Sequence, residues 1–576
     1  MAALEFEQKL NFITEGLRFK ALASFKNWSS TTNSASAGWN KYHLQDFSVD
    51  DNGVYSFVTR LQNESGGEVS TDLKPGVANS GDRRFYFQAI MDYNRTFGKH
   101  DVNAMFIYNQ DELVTQLFSG DLIAALPKRK QGVAARLSYA YDGKYLAEVN
   151  MGYNGSENFA KGHRWGFFPS IAVGYNISEE AFFEPLKNVF SNMKIRASWG
   201  LVGNDNIGGA RFVYMPTINL TGTGYTTGLD GDITYKGPVY SRYGNPEVTW
   251  EVGKKVNVGL DLQLFNSLNL TMDYFHETRT DIFQERGTIP QYLGTAGTKV
   301  FGNLAAMKNQ GFDFAADFNK KIGKDWFISF KGTFTYAHNE ITKYDESPKY
   351  AFQSKVGQSA NIPSIMISDG LFKDPDDVKN SNQQIGGNLS AGDIKYVNIS
   401  KLYGYDDDIV DISDWVWAKN PTVPEIVYGF GPSIRWKNLD FSFFFQGVAK
   451  VSLVMSDFHP FGDNSLRNVL TWIADDRWSP DNQNINATYP RLTRDTSVNN
   501  TQRSDYWLRN AAFIKLKNAE IGYTYKNMRF YVSGMNLATF SPFKHWDPEQ
   551  GGGNGLKYPT QRVFNFGFQM TINNNR

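Results

Sequence analysis

The chain has 576 residues with 59 basic and 59 acidic side chains, so its formal net charge is zero and no basic excess points to nucleic acid. It contains no cysteine, which removes disulfides, thiol catalysis and zinc–thiolate sites. Aromatics are abundant (44 Phe, 30 Tyr, 13 Trp), Gly reaches 52, and no apolar run reaches the roughly 18 residues of a helical membrane span.

Along the chain, hairpin follows hairpin. Met1-Ala2-Ala3 leads directly into a strand pattern (Leu4, Phe6, Leu10, Phe12) with no charged, apolar and cleavable leader, so either the protein is not exported or more sequence precedes Met1. Leu4–Thr14 and Leu17–Trp28 are joined at Thr14-Glu15-Gly16. Val133 to Tyr141 alternates, turns at Asp142-Gly143 and returns through Tyr145 to Tyr153; Val256 to Leu264 turns at Asn266-Ser267 into Leu268 to Tyr274. Phe312 to Phe318 passes Gly323 to Trp326 to Tyr336, and Ile426–Trp436 turns at Lys437-Asn438 into Leu439 to Phe445. Ile514–Tyr523 turns near Lys526-Asn527 into Phe530 and Val532, and Val563–Ile572 closes the chain with Phe564, Phe566, Phe568, Met570 and Ile572 on one face. Period-2 alternation over ~10 residues gives each strand one apolar and one wet face, the length and pattern of a membrane-spanning strand.

Tight turns alternate with long excursions at Ser29–Asn40, Glu64–Asp82, Glu112–Gln131, 204–246, 277–310, 342–425, 451–511 and 536–560. Short turns at one end and long loops at the other are the arrangement of outer-membrane barrels. The expected fold is all-β, an antiparallel transmembrane β-barrel of about nineteen strands spanning residues 1–576. A final strand ending in the periplasm makes the Met1 strand run inward, so an odd number of strands, about three, is expected before it.

Several motifs occur in one order: Arg164–Ser170 (RWGFFPS), Gly174–Glu180, Met193–Asn206 (MKIRASWGLVGNDN), Asn245-Pro246 to Trp250-Glu251, Asn257–Asp261 and Asn309–Asp313. Gly392-Asp393-Ile394-Lys395-Tyr396, Asp440–Gly447 (DFSFFFQG), Trp507–Asn510 with Ile514–Asn518, Val532–Leu537 and Trp546-Asp547-Pro548-Glu549 follow. On these co-linear motifs the chain resembles the SusC/RagA-like TonB-dependent outer-membrane transporters of Gram-negative bacteria. The resemblance implies a barrel of about 22 strands, an N-terminal plug and TonB-box segment, and import of oligosaccharides or peptides. It also implies a SusD-like surface lipoprotein and the TonB complex as partners besides the outer-membrane lipid. This chain matches the C-terminal barrel portion, without plug, TonB box or first strands.

Trp39, Trp165, Trp199, Trp250, Trp326, Trp415, Trp417, Trp436 and Trp478 invite a sugar-stacking role, but belts of aromatics form at both membrane interfaces for amphipathic reasons alone. Trp415 and Trp417 lie in the longest loop and are the candidate substrate contacts. Asp406, Asp408 and Asp411 offer oxygen ligands to a cation, yet Tyr396–Lys401 lacks the carboxylates that the family's calcium-like loop carries there, so a solvated loop is the default and no metal is assigned. The seven His form no metal spacing, no Gly-x-Ser-x-Gly elbow occurs, and Gly222-Thr223-Gly224 has the wrong spacing for a phosphate loop. No enzyme activity and no cofactor are expected. Arg136, Glu148, Lys194, Arg196, Asp261, Asp273, Asp313, Asp317 and Lys331 fall on the polar alternates and are expected to line a wet lumen, because a charge on the lipid face costs ~2–4 kcal/mol. The rival readings are a passive pore or adhesion protein, and a secreted multi-domain carbohydrate-binding protein.

Overall fold

The computed structural model describes residues 1–62, 67–115, 123, 126–208, 210–290, 298–405, 407–456, 469–493 and 497–572. Its wall is one antiparallel sheet of seventeen strands. They are β1 (Ala2–Lys9), β2 (Leu17–Ser36), β3 (Lys74–Phe97), β4 (His100–Thr115), β5 (Lys128–Tyr141), β6 (Tyr145–Ser156), β7 (Trp165–Asn176), β8 (Phe190–Asn204) and β9 (Glu251–Leu264). β10 (Leu268–Glu285), β11 (Phe301–Ile322), β12 (Trp326–Lys343), β13 (Ile426–Trp436), β14 (Leu439–Ala449), β15 (Phe513–Tyr525), β16 (Met528–Phe540) and β17 (Val563–Met570) complete it. Each strand pairs with its successor in sequence, an up-and-down meander. Among the described residues β1 and β17 have one partner strand each, and both are exposed along most of their length.

Turns at one end are tight because their residues accept left-handed backbone. Asp142-Gly143 (φ 53° and 67°) and Phe265-Asn266 (φ 52° and 51°) form primed turns, whose twist matches that of the flanking strands. The opposite ends of the strands carry the long connections.

Wall count and expectation differ by one hairpin. Tyr42–Val49 and Tyr55–Leu61 alternate like wall strands apart from a bulge between Leu44 and Asp46, but among the described residues they pair with each other in a separate two-stranded sheet within the β2–β3 connection. Conversely, residues 29–36 and 74–82, expected as loop, continue β2 and β3 in register from Trp28↔Asp82 to Ser36↔Lys74.

The outer face is apolar and uncovered. Phe106, Leu137, Met151, Phe167, Val258, Phe312, Phe441 and Phe530 are all exposed. Total accessible surface is 35793 Å², against about 21,000 Å² for a compact globule of this mass. A soluble protein would not leave such a face bare; a lipid-facing wall must. Rings gather at both rims of this face. Tyr145 stacks on Tyr175 (5.2 Å between centroids) and Trp326 on Trp436 (5.6 Å) near the tight turns, while Tyr153 stacks on Trp165 (4.7 Å) near the long loops. From Tyr145 to Tyr153 the strand rises about 26 Å, the height of an outer-membrane apolar band before tilt.

Candidate functional site: the inner wall and the loop roof

The inner alternates are charged and paired across strands. Arg196 on β8 donates to Asp261 on β9 (3.0 Å) and reaches across to Asp273 on β10 (2.6 Å). It crosses the middle strand because residue 259, its register partner there, is glycine: a Cβ would lie 2.6 Å from the Arg196 guanidinium carbon. The device recurs around Gly522, where Arg529 on β16 bonds Asp440 on β14 (Nε, 3.1 Å) and Glu520 (2.6 Å), and a Cβ would meet both Arg529 and Asp440. Glu148 accepts from Ser138 and Asn150, Asp313 accepts from Thr335, and Arg136 donates to Asn103. A polar inner face follows, its charges met partly by ion pairs and partly by neutral side chains.

Buried hydrophobic packing lies outside this wall, in the long connections. Met366, Leu371, Ile394 and Tyr396 come from the β12–β13 connection, Val451, Leu453, Trp478, Tyr489 and Trp507 from β14–β15, and Phe543 from β16–β17; together they form one core. Short pairings hold the pieces: Ser364–Ile365 with Val416–Trp417, Ser368–Leu371 with Ile394–Tyr396, and Ser452–Val454 with Leu508–Asn510. A second, smaller core joins Phe159, Ile207, Val213, Val248 and Trp250. Loops of this length are normally irregular, but these bury enough apolar surface to fold as a unit.

A buried polar knot ties the roof together. Asp393, 1% exposed, accepts from Arg491 Nε (2.7 Å) and Nη2 (3.1 Å) and from Asn500 Nδ2 (2.8 Å). Asn500 in turn accepts from the Ile394 amide (2.9 Å) and takes the Trp507 indole N–H on its carbonyl (2.8 Å). Tyr396 donates to the Asn499 carbonyl, and Gln384 bonds both backbone groups of Tyr396. Burial pushes the Tyr489 phenol up to about 12 and holds the Arg509 guanidinium below its ordinary value. Burial, with Arg509 nearby, likewise lowers His545.

The last long connection is clamped to the inner wall. Lys515 points to the inner face of β15, where its side chain is 1% exposed, and donates to Asp547 (2.6 Å) and Glu549 (2.5 Å); Lys517 adds a second contact to Glu549 (2.8 Å). Burial, the largest single influence, would raise both carboxyls, but the lysine hydrogen bonds and charges, with the Glu549 amide on Asp547, together hold them below the usual range. A cavity of about 470 Å³ lies between Gln446 and Val448 of β14 and the Gly551-Gly552-Gly553 segment.

The residues singled out from sequence take the following places. Trp417 is half-buried and donates its indole N–H to the Ser354 carbonyl (2.8 Å); Trp415 is half-buried against the roof core. Asp406 lies outside the described residues. Asp408 meets Lys401 (2.7 Å), while Asp411 caps the turn Ile412–Asp414 by accepting from the Ser413 amide (2.6 Å). Asp407 accepts from Asn398, Ser400 and the Ile409 amide, and these bonds overcome burial to keep its carboxyl low. Among the described residues no three His, Asp or Glu side chains converge as a metal site. Trp250 and Trp478 are buried in loop cores, whereas Trp165, Trp199, Trp326 and Trp436 are exposed on the outer face. Sequence reasoning missed the roles of Lys515 and Arg491; the signal available was that Lys515 and the partners Asp547 and Asp393 sit inside the co-linear motifs, whereas Arg491 lies in none of them.

The family model "TonB dependent receptor-like, beta-barrel" matches residues 7–537. The chain is 25% identical over 562 residues to TonB-dependent receptor P3 of Formosa agariphila, covering 87% of this chain and 54% of that protein. It is 27% identical over 470 residues to TonB-dependent receptor SusC of Bacteroides thetaiotaomicron, covering 76% and 43%. The chain thus spans about half the length of the relatives it matches. In structure it is similar to the RagAB peptide transporter, with a TM-score of 0.68 at 20% identity over 96% of this chain and 60% of that one. The "open-open" state of the RagAB peptide importer gives 0.70 over 97% and 59%. Receptors of this family sit in the Gram-negative outer membrane, which accounts for the bare apolar face, and the chain belongs to the TonB-dependent receptor β-barrel family.

Proposed function

We propose that this chain forms the wall and extracellular roof of an importer for large nutrients, peptides or oligosaccharides, akin to SusC and RagAB. The observation that carries the reading is the roof itself: three long connections share one hydrophobic core and are clamped to the inner wall at Lys515. A passive pore needs an open mouth, whereas a roof with its own core can hold a ligand and act as a gate. The peptide class follows the likeness to a peptide transporter, and the oligosaccharide class follows the resemblance to the SusC/RagA-like group. By the same analogy we propose a SusD-like lipoprotein on the extracellular side. Energy would come from the TonB complex, through the part of the relatives' length that this chain does not span. Trp415 and Trp417 remain our proposed substrate contacts; their half-burial limits contact to ring edges.

Uptake of labelled oligopeptides and oligosaccharides by a deletion strain complemented with the whole gene tests this. Restored uptake that stops when the proton-motive force is collapsed is the expected result. Uptake insensitive to that collapse would leave only the passive pore.

A further inference from the structure

Three long connections meet the inner wall around the cavity of about 470 Å³. On its wall side stand Gln446 and Val448 of β14 and Phe513, the first residue of β15. Gln446 and Val448 share the alternate of Asp440, whose carboxylate meets Arg529 on the inner face, and they pair in register with Lys515 and Phe513. All three wall residues therefore belong to the inner face. Thr422 and Pro424 bring in the β12–β13 connection, Leu453 and Val454 the β14–β15 connection, and Pro548 and Gly552 the β16–β17 connection. Glu549, held by Lys515, stands at the edge of the same cavity.

The lining decides what fits. Val448, Val451, Leu453 and Val454, with Pro424 and Pro548, make it largely apolar. The carboxylate in it, Glu549, is already matched by Lys515 (2.5 Å) and Lys517 (2.8 Å). Two neutral groups are left over: the side-chain amide of Gln446 and the backbone N–H of Gly552 make no hydrogen bond among the described residues. Gly552 sits so close to Val454 that a Cβ would lie 2.5 Å from the carbonyl oxygen, so the segment presents bare main chain to the cavity. An uncharged ligand with an apolar group beside an amide donor and acceptor satisfies such a lining, and a peptide main chain with an aliphatic side chain is one. A sugar does not. Its hydroxyls would be left unpaired against aliphatic walls. Phe513 is 7% exposed, with the Lys515 ammonium 5.7 Å from its ring centroid, so its ring offers no open face for stacking.

We propose that this cavity is a peptide subsite. An aliphatic side chain of the cargo fills the space between Val448 and Leu453, and the adjoining main-chain amide pairs with Gln446 and the Gly552 N–H. The inference rests on the reading of the chain as an importer and narrows it to peptide cargo. A ligand held here touches all three connections and the segment that Lys515 fastens, so it bridges wall and roof.

The test uses the whole protein in detergent, with no energy source, and follows by calorimetry the binding of neutral probes: acetyl-Ala-Leu-Leu-Ala-amide, acetyl-tetraglycine-amide and maltotetraose. Expected is binding of the leucine peptide, with the glycine peptide weaker by about tenfold or more, as burial of one leucine side chain is worth. Q446M should weaken the leucine peptide about tenfold, and V448W, which fills the cavity, should abolish its binding. Bound peptide should slow hydrogen exchange at 448–456 and 548–553. Equal affinity for the two peptides, unchanged affinity in either variant that folds, or maltotetraose binding that both variants lose overturns the proposal. So does the absence of peptide binding. Uptake by cells separates this from the importer reading. If peptide binding fails while oligosaccharide is still taken up under the proton-motive force, the subsite is wrong and the importer stands. If the leucine peptide binds as expected and no energised uptake follows, the subsite stands and the importer reading falls. Heat-modifiable mobility checks that the variants fold; if neither does, the two peptides and the exchange map on the unaltered protein decide.

Discussion

Lys515 and Asp547 lie 2.6 Å apart with the lysine side chain 1% exposed, and this contact fastens the last long connection to the inner wall. Without the lysine, partly buried Asp547 would lose its counter-charge and Glu549 would keep only Lys517, a change of the class that costs ~3–5 kcal/mol. Lys515→Met should therefore release the segment around Pro548–Gly553 while leaving the wall intact. Hydrogen exchange checks this: faster exchange confined to residues 541–562 is expected, and unchanged protection there would show the clamp to be dispensable.

Asp393 plays the corresponding part within the roof. Asp393→Asn keeps the shape but strands the Arg491 guanidinium, which loses its paired contact at 2.7 and 3.1 Å. Loss of ~3 kcal/mol or more in roof stability is expected, seen as limited proteolysis within 344–425 and 450–512 at protease levels that the unaltered protein withstands. Asp393→Asn combined with Arg491→Met should recover part of the loss, since no buried charge is then left alone.

How much of this was legible from sequence depends on the range of the interaction. Lipid-facing alternation in Val133–Tyr141 and Tyr145–Tyr153 is local, so the wall could be read directly. The hairpin Tyr42–Leu61 obeys the same local rule yet stands apart, because period 2 reports one apolar face and not what the face packs against. The acidic stretch near Asp411 could be seen but not assigned, since its carboxylates cap backbone amides, a role fixed by turn geometry. The roof was out of reach. Its knot joins Asp393 to residues about a hundred positions away in segments without periodicity, and only co-linear motifs marked those segments at all.

The roof should weaken in acid. His545 sits against Tyr489 and Phe543, and its folded-state pKa is lowered by burial and by Arg509. A depressed histidine contributes stability that is full above its unfolded value near 6.5 and lost as pH falls toward the folded value. Asp547 and Glu549, also depressed, add a further loss at lower pH. At the alkaline end, Tyr489 contributes fully below pH 10 and its contribution is lost as pH rises toward about 12. Roof stability, followed by exchange of the Ile394 and Trp507 amides, should be flat between about pH 6.5 and 10 and fall on both sides. His545→Phe should flatten the shoulder just below neutrality and leave the lower one.

Gly259 is predicted to tolerate no side chain. A Cβ there would meet the Arg196 guanidinium at 2.6 Å and the Asp273 carboxylate at 2.8 Å, and both are held by their mutual bond. Gly259→Val should destabilise the wall by ~1–3 kcal/mol through overpacking, with the urea midpoint of the refolded barrel in detergent as the readout. Gly259→Val with Arg196→Ala removes the obstruction along with the ion pair, so its midpoint should lie above that of the single variant.

Trp417 separates a bracing role from a ligand-contacting one. Its indole N–H bonds the Ser354 carbonyl at 2.8 Å, and its backbone pairs with Ser364. Trp417→Phe removes one partly buried hydrogen bond, worth about 1 kcal/mol, but keeps most of the ring edge. If Trp417 contacts substrate through that edge, Trp417→Phe should retain uptake and Trp417→Ala should raise the half-saturating substrate concentration severalfold. If Trp417 serves only to brace the loop, both variants should speed exchange at Ser354 and leave that concentration unchanged. Trp415 calls for the same pair of substitutions, but it lacks such a hydrogen bond among the described residues. For Trp415→Phe neither quantity should move, and Trp415→Ala alone should weaken binding.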